Sequence, residues 1–311
     1  MLAGLQHHDV RALAWMIGSP SLFEPSDPAW DGALLDDDWA AKELARMADL
    51  LFALDADPAS LERCLGDPRE PEPLGHCFER LVLFWQRLRS DVRTATRGLV
   101  VRSGGRTLGE FDVVALRQDG VIETLEVTVK FYLNLNPGLG IDGIIGPRAF
   151  DRMRDKHAKM ASRQRLLGAT AEGRRAIADW LERDCGWSGD SDALVIENLA
   201  LSRGFVFHPP GCELFPSALS MHHARGRWQT ERDPLPPGQW RTLAGREWLA
   251  PYRGPLATRD WPIDPRMPRM VAAVGGSEGD LRERERRFVL RPDSGLFAAA
   301  GLSREPVEAS R

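Results

Sequence analysis

Apolar residues recur at three- and four-residue steps over residues 8–18 and again over 38–54 ("DWAAKELARMADLLFAL"). That spacing lines them along one helix face and predicts two helices. The run between them, "SPSLFEPSDPAWDGALLDD", is rich in Pro, Ser and Asp and reads as a surface loop. After a break at "GDPREPEPLG", "GHCFERLVLFWQRLRSD" predicts a strongly apolar helix over about 75–91. The period then drops to two. "RGLVVRS" reads as a short strand, and "GEFDVVALRQDGVIETLEVTVKFYL" (109–133) as two more strands joined through Asp-Gly, a strong hairpin signal. A glycine-rich loop (134–147) opens into a helix over 148–166, with Pro147 at a first position that tolerates proline. A second helix is expected over 170–183, then a strand or strand pair in "DALVIENLALSRGFVFHP".

The fold class is therefore α/β. Residues 75–208 give a core in the order helix, three strands, helix, strand. Residues 1–74 form a helical N-terminal extension, and 209–311 an irregular C-terminal extension packing on that core, its tail disordered over the last dozen residues. Within the C-terminal part "GQWRTLAGREWLAPYRGP" is the most structured portion, and "LRERERRF" reads as a solvated helix face or strand edge.

The hairpin carries chemistry that a plain core would avoid. Side chains alternate along a strand, so Glu110, Asp112 and Val114 share one face, and Phe111 and Val113 the other. In the next strand Glu126, Thr128, Lys130 and Tyr132 share a face opposite Leu125, Val127, Val129 and Phe131. Pairing about the turn brings the polar faces together, and helices on either side cover the sheet. Burying carboxylates costs several kcal/mol unless they are neutralised, and a divalent cation with oxygen ligands does that. The alternative is an ordinary hairpin with one side in water.

The helix with Glu79, the Glu110/Asp112 strand, the Glu126/Lys130 strand and the basic helix that follows resemble the PD-(D/E)XK nuclease-like fold. Its restriction-endonuclease-like core has this element order, and the likeness covers about 75–208. More narrowly, "LGHCFERL", "EVTVKFYL", "IGPRAFDRMRDKHAKM" and "WLAP" resemble a bacterial family catalogued as domain of unknown function 1853, over most of the chain. The nuclease resemblance implies a metal-dependent hydrolase of phosphodiester bonds in DNA, with RNA second. It would make Asp112 the central ligand of Mg²⁺ or Mn²⁺, Glu126 the second acid, Glu79 a support for metal or water, and Glu110 an auxiliary. Lys130 would orient the attacking water or stabilise phosphate charge. Here the pattern departs: the usual acid and lysine are two residues apart, whereas Glu126 and Lys130 are four apart, about 13 Å along a strand instead of about 7 Å.

The helix over 148–165 holds Arg148, Arg152, Arg154, Lys156, Lys159, Arg163 and Arg165 against Asp151 and Asp155. Such a local surplus suits phosphate contacts through Arg148, Arg152, Lys156, Lys159 and Arg163, and suits a solvated face equally. Gln164 and His157 could contact substrate or simply pack. The net charge of −4 leaves room only for a local nucleic-acid patch. "GLGIDGIIG" lacks the spacing of a dinucleotide loop. Trp228, Trp240, Trp248 and Trp261 could stack on bases, though packing is their simpler role.

Four cysteines in no paired spacing read as reduced thiols of a cytoplasmic protein, and His208 with Cys212 in "HPPGC" as loop and core residues. The chain has no apolar run of ~18 residues, so no membrane span is expected. Asp9 and Arg11 interrupt the N-terminal apolar pattern, which reads as a folded helix and not a signal peptide. Three functional readings stand at this point: an active metal-dependent nuclease, an inactive nuclease-fold protein that binds nucleic acid or a protein partner, and a scaffold with no cation site.

Overall fold

The computed structural model describes residues 4–68, 70, 72–255, 268–277 and 279–302, with Arg163 described by its main chain only. α1 (His8–Gly18) buries Val10 to Ile17 almost all round. The helix expected over 38–54 is divided at Met47 into α2 (Asp37–Arg46) and α3 (Ala48–Ala56), followed by α4 (Ala59–Leu65). Asp36 starts α2 by accepting the Trp39 N–H at 2.7 Å. The stretch expected as a surface loop is partly interior: Leu22, Phe23 and Trp30 are fully buried. Its polar composition hides apolar anchors whose backbone is satisfied by a strand, as in Leu35 N–H to Ala200 O and Ala200 N–H to Ala33 O, both 2.9 Å.

α5 (Leu74–Leu88) leads into three consecutive antiparallel strands: β1 (Val92–Ser103), β2 (Arg106–Arg117) and β3 (Ile122–Asn134). A short β4 (Ile144–Ile145) pairs with the end of β3. The next helix, α6 (Met153–Lys159), begins five residues later than the expected start at 148. Residues 146–152 are instead turned back on β4: Gly146 N–H meets Asp151 O at 2.7 Å, Ala149 takes φ 66°, and Arg152 bridges Ile145. After Lys159 the helix widens into a π turn (Met160–Gln164) and tightens into a 3-10 turn (Arg165–Ala169). α7 (Ala171–Cys185) and β5 (Ile196–His208) complete the central region, and β5 runs parallel to β3 along twelve paired positions.

The C-terminal extension is not irregular. β6 (Ala224–Thr230), β7 (Gln239–Leu243), β8 (Arg253–Gly254), β9 (Arg269–Ser277) and β10 (Asp280–Leu290) extend the same sheet, and α8 (Leu296–Ala299) follows. The main strand order is β1-β2-β3-β5-β6-β10-β9-β7, so the fold is a mixed α/β one built on a single large sheet. "LRERERRF", expected at the surface, lies within β10. Arg286 is fully buried there because Glu283 accepts two of its hydrogen bonds at 2.8 Å and the carbonyls of Trp248 and Ala250 one each at 2.7 Å. Of the expected disordered tail, residues 303–311 lie outside the described residues, while Leu302 N–H meets Phe297 O at 2.8 Å.

One face of the sheet is covered by α1 and α5 and presents Val127, Val129 and Phe131 to Trp15, Phe78 and Leu81. The other face is covered near β1 to β3 by α7, which packs Ile177, Trp180 and Leu181 on Val114 and Ile122. Further along, Tyr132 and Ile144 meet Met153, Met160 and Trp30. Two residues on β5 set the stacking. Arg203, fully buried, donates to the free α1 carbonyls of Met16 and Ile17 at 2.9 and 3.1 Å. Gly204 has φ 146°, and a Cβ there would stand 1.8 Å from the Lys130 carbonyl oxygen.

Candidate functional site

The hairpin opens into a fork. β2 and β3 pair from Leu116–Ile122 to Val113–Leu125 and no further, while β2 stays on β1 and β3 stays on β5. Asp112 and Glu126 stand where the strands part. Asp112 Oδ2 accepts the Val127 N–H at 2.8 Å, doing for β3 what the next rung of the ladder would have done. The residue opposite Asp112 on β1 is Gly98, at φ 67°. Strict alternation breaks here. Phe111 packs with Val101, Val114 and Leu167, whereas Val113 joins the α5 side, so the two do not share the face expected of them.

Asp112 and Glu126 act on each other's charge, and both are pushed above the usual carboxylate range, burial being the main cause. Glu126 rises to about 8, through burial first and the Asp112 charge second, with Lys156 pulling the other way. The pair therefore retains a proton at neutral pH. Lys156 Nζ, from α6, lies 3.2 Å from Glu126 Oε1 and 3.4 Å from Gln164 Oε1 on the π turn. The strand that carries Glu126 is itself pinned to the end of α5, where Arg89 clasps the buried Glu123 with Nη1–Oε2 and Nη2–Oε1 contacts of 2.6 and 3.0 Å.

The remaining candidates are placed as follows. Glu79, half-buried on α5, pairs with Arg97 at 3.2 Å, and its carboxyl is raised by burial and then by Asp112. Glu110 is exposed, its carboxylate over Gly98. Lys130 does not reach the carboxyl pair. Its ammonium is bonded to Asp151 Oδ2, while Tyr132 O–H donates to Oδ1 of the same carboxylate at 3.1 Å. Arg148 and Lys159 are exposed, but Arg152 donates to Ala299 O at 3.0 Å and Lys156 is turned inward. The Arg163 side chain lies outside the described residues. Arg154 pairs with Asp142 at 2.7 Å and Arg165 is buried, so the charge surplus of this segment is not one exposed stripe.

His157 packs edge-on against Phe23 and Trp30 at 5.1 Å. Trp228 donates to Asn134 O at 2.8 Å, Trp248 packs on Phe131 and Phe288, and Trp240 lies beside Arg287; Trp261 is outside the described residues. His208 bonds His223 and Asn134, while Cys212 Sγ faces Leu214 O.

The sequence alone assigns no site role to Asp151 and no inward role to Lys156, and Gln164, expected to contact substrate or simply pack, is a partner of Lys156. One signal was present for Lys156: it is a lysine on the helix that follows the acidic strand. Among the described residues no three His, Cys, Asp or Glu side chains gather as a metal cage. The donor set does fit a hard cation. Two adjacent carboxylates and water are what Mg²⁺ takes from many proteins, and such an ion would displace the proton that Asp112 and Glu126 share. Among the described residues no helix is long and apolar enough to cross a membrane.

No curated protein and no solved structure matches the chain. The family model described as a domain of unknown function (DUF1853) matches residues 11–290, a span that takes in the fork, the helices that cover it and the C-terminal strands, and the chain belongs to that family.

Proposed function

We propose that the protein is a metal-dependent phosphodiester hydrolase of the PD-(D/E)XK kind acting on DNA, with Lys156 and not Lys130 as its active-site ammonium. The observation that carries this reading is the meeting of Lys156 with Glu126 beside Asp112, at the parting of two strands that follow a helix bearing Glu79. The order helix, three antiparallel strands, helix, parallel strand over 74–208 supports it.

Asp112 and Glu126 would hold Mg²⁺ or Mn²⁺, with Glu79 behind them. The ion would polarise a phosphoryl oxygen and lower the pKa of a bound water. Lys156 supplies a fixed positive charge where the phosphate gathers negative charge, and Gln164 orients that ammonium. Lys130 keeps a positioning role: with Tyr132 it anchors Asp151 and so the turn that launches α6. Arg148 and Lys159, both exposed, suit backbone phosphates of the same substrate.

The test is cleavage of supercoiled, linear, single-stranded and branched DNA by the full chain with Mg²⁺ or Mn²⁺. Metal-dependent cleavage is expected. A protein that cuts none of these but retains affinity for one supports the second reading, an inactive nuclease-fold binder, which the Lys130–Asp151 pairing favours.

A further inference from the structure

Beyond the fork, β3 offers an edge that no strand covers. Its ladder with β2 ends at Leu125 and that with β4 begins at Leu133, so among the described residues the β2-side edge has no strand partner between 126 and 132. β5 occupies the other edge throughout. Val127 sends its N–H to the open side, where Asp112 takes it. By the two-residue period of a strand, Val129 and Phe131 turn their N–H and C=O groups the same way.

A cavity of about 580 Å³ lies along this edge. Leu74 and Cys77 of α5, Phe131, Trp248 and Pro147 give it apolar walls, while the cations Lys130, Arg148 and Arg246 and the carboxylates Glu70, Glu72 and Asp151 line it with charge of both signs. Arg246 is only 7 % exposed, and its Nη1 has no hydrogen-bond partner among the described residues. Its Nη2 bonds Leu65 O and stands 3.5 Å from Glu72 Oε1, and Nη1 is closed off from the cavity, so Arg246 is held within the wall and Arg148 is the exposed cation of the lining.

These features select the occupant. Flat apolar walls suit an aromatic ring, and a strand edge offers the alternating donors and acceptors that the hydrogen-bonding edge of a nucleobase reads. Lys130 and Arg246 are paired with Asp151 and Glu72, while the exposed Arg148 suits a phosphate, and the volume falls within the ~300–1,000 Å³ of small-ligand sites and holds one nucleotide, not a duplex. We propose that this cavity receives one unstacked nucleotide of a single-stranded nucleic-acid segment, further along β3 from the carboxyl pair. The proposal rests on the nuclease reading for its substrate class. It makes single-stranded ends, flaps or frayed junctions the preferred substrates.

The experiment titrates the full chain with 2′-deoxyadenosine and thymidine 5′-monophosphates without divalent metal, followed by calorimetry and tryptophan fluorescence. 2-Deoxyribose 5-phosphate is the control for phosphate alone. Saturable binding of both nucleotides is expected, at least tenfold tighter than the control. Leu74→Trp fills the cavity from a half-buried position at the start of α5 and should weaken binding at least tenfold; Arg148→Ala, at an exposed residue, should weaken it several-fold. No saturation by about 10 mM nucleotide, equal affinity for the sugar phosphate, or unchanged affinity in both cavity variants overturns the proposal. Should Leu74→Trp fail to fold, Arg148→Ala decides. Nucleotide binding without DNA cleavage would sink the nuclease reading alone, and cleavage without nucleotide binding would sink the cavity alone.

Discussion

Lys156 Nζ stands 3.2 Å from Glu126 Oε1, an ammonium delivered by a helix to a carboxyl group buried on a strand thirty residues earlier. The lysine on Glu126's own strand is spoken for by Asp151. The two ammonium groups therefore have separable duties. If the protein cleaves phosphodiesters, Lys156→Ala should lower turnover by roughly 10²-fold or more with little loss of fold. Lys130→Ala should act mainly on stability, by unpairing Asp151 and loosening the turn before α6. Single-turnover cleavage rates and melting temperatures of the two variants check this, and the reverse ranking would move the active ammonium back to Lys130.

Glu126 makes stability depend on pH in a stated direction. Its carboxyl titrates near 4.5 in an unperturbed chain and near 8 in the fold. Between those values the folded protein holds a proton that the unfolded chain has lost, so stability falls as pH rises from about 4.5 to about 8. The loss is on the order of a few kcal/mol. Glu126→Gln, which cannot ionise, should flatten this limb and be the more stable protein at pH 8. Urea melts at pH 5, 6.5 and 8 measure it; parallel curves for the two proteins would mean Glu126 is ionised throughout.

The shared proton also couples to the cation. Mg²⁺ or Mn²⁺ bound by Asp112 and Glu126 must expel it, so binding should release close to one proton below about pH 8 and tighten as pH rises. Calorimetry in two buffers of different ionisation enthalpy counts that proton. An Asp112→Ala, Glu126→Ala double variant that binds the cation as well as the parent would show the ion held elsewhere.

Arg203 is the buried cation that joins layers rather than serving the site. Complete burial pulls it down to about 9, and its partners are carbonyls at the end of α1. Arg203→Met removes the guanidinium and leaves those carbonyls unsatisfied, a loss of about 2–4 kcal/mol. Chemical denaturation should show it, with α1 losing hydrogen-exchange protection first. A variant as stable as the parent would mean that water replaces the guanidinium at no cost.

Periodicity and turn chemistry reveal the central elements because apolar residues recur along each at the step of its own backbone. α1, α5, β2, β3 and β5 are of this kind, and so is the gathering of Asp112 with Glu126. Signals fail where a side chain's environment is built from distant segments. Arg286 in "LRERERRF" looks solvent-facing until Glu283 and two carbonyls from 248–250 surround it. Phe23 and Trp30 look like loop residues until Leu219 and Tyr132 form a pocket for them. Lys156 reads as one more basic residue, because a helix that begins at Met153 and widens into a π turn after Lys159 has a phase that periodicity from residue 148 does not give. Lys130 shares Glu126's strand face as expected, but its reach was claimed by Asp151, which a helix starting at 148 would have placed on a different turn.

The attachment of α1 to β5 bears on how the protein is made. Helix 8–18 leaves the ribosome almost two hundred residues before Arg203, whose guanidinium closes its end, and later still come Arg246, whose carbonyl meets His8, and Arg253, which meets Leu5 and Arg11. Until β3 emerges, Trp15, Phe23 and Trp30 lack Phe131 and Tyr132 to cover them, and until β5 emerges the end of α1 lacks Arg203. The nascent chain thus carries a helix that is buried nearly all round in the fold, first without β3 and then without β5. That makes this helix a segment a chaperone would engage, and its docking is complete only when the C-terminal strands have been made.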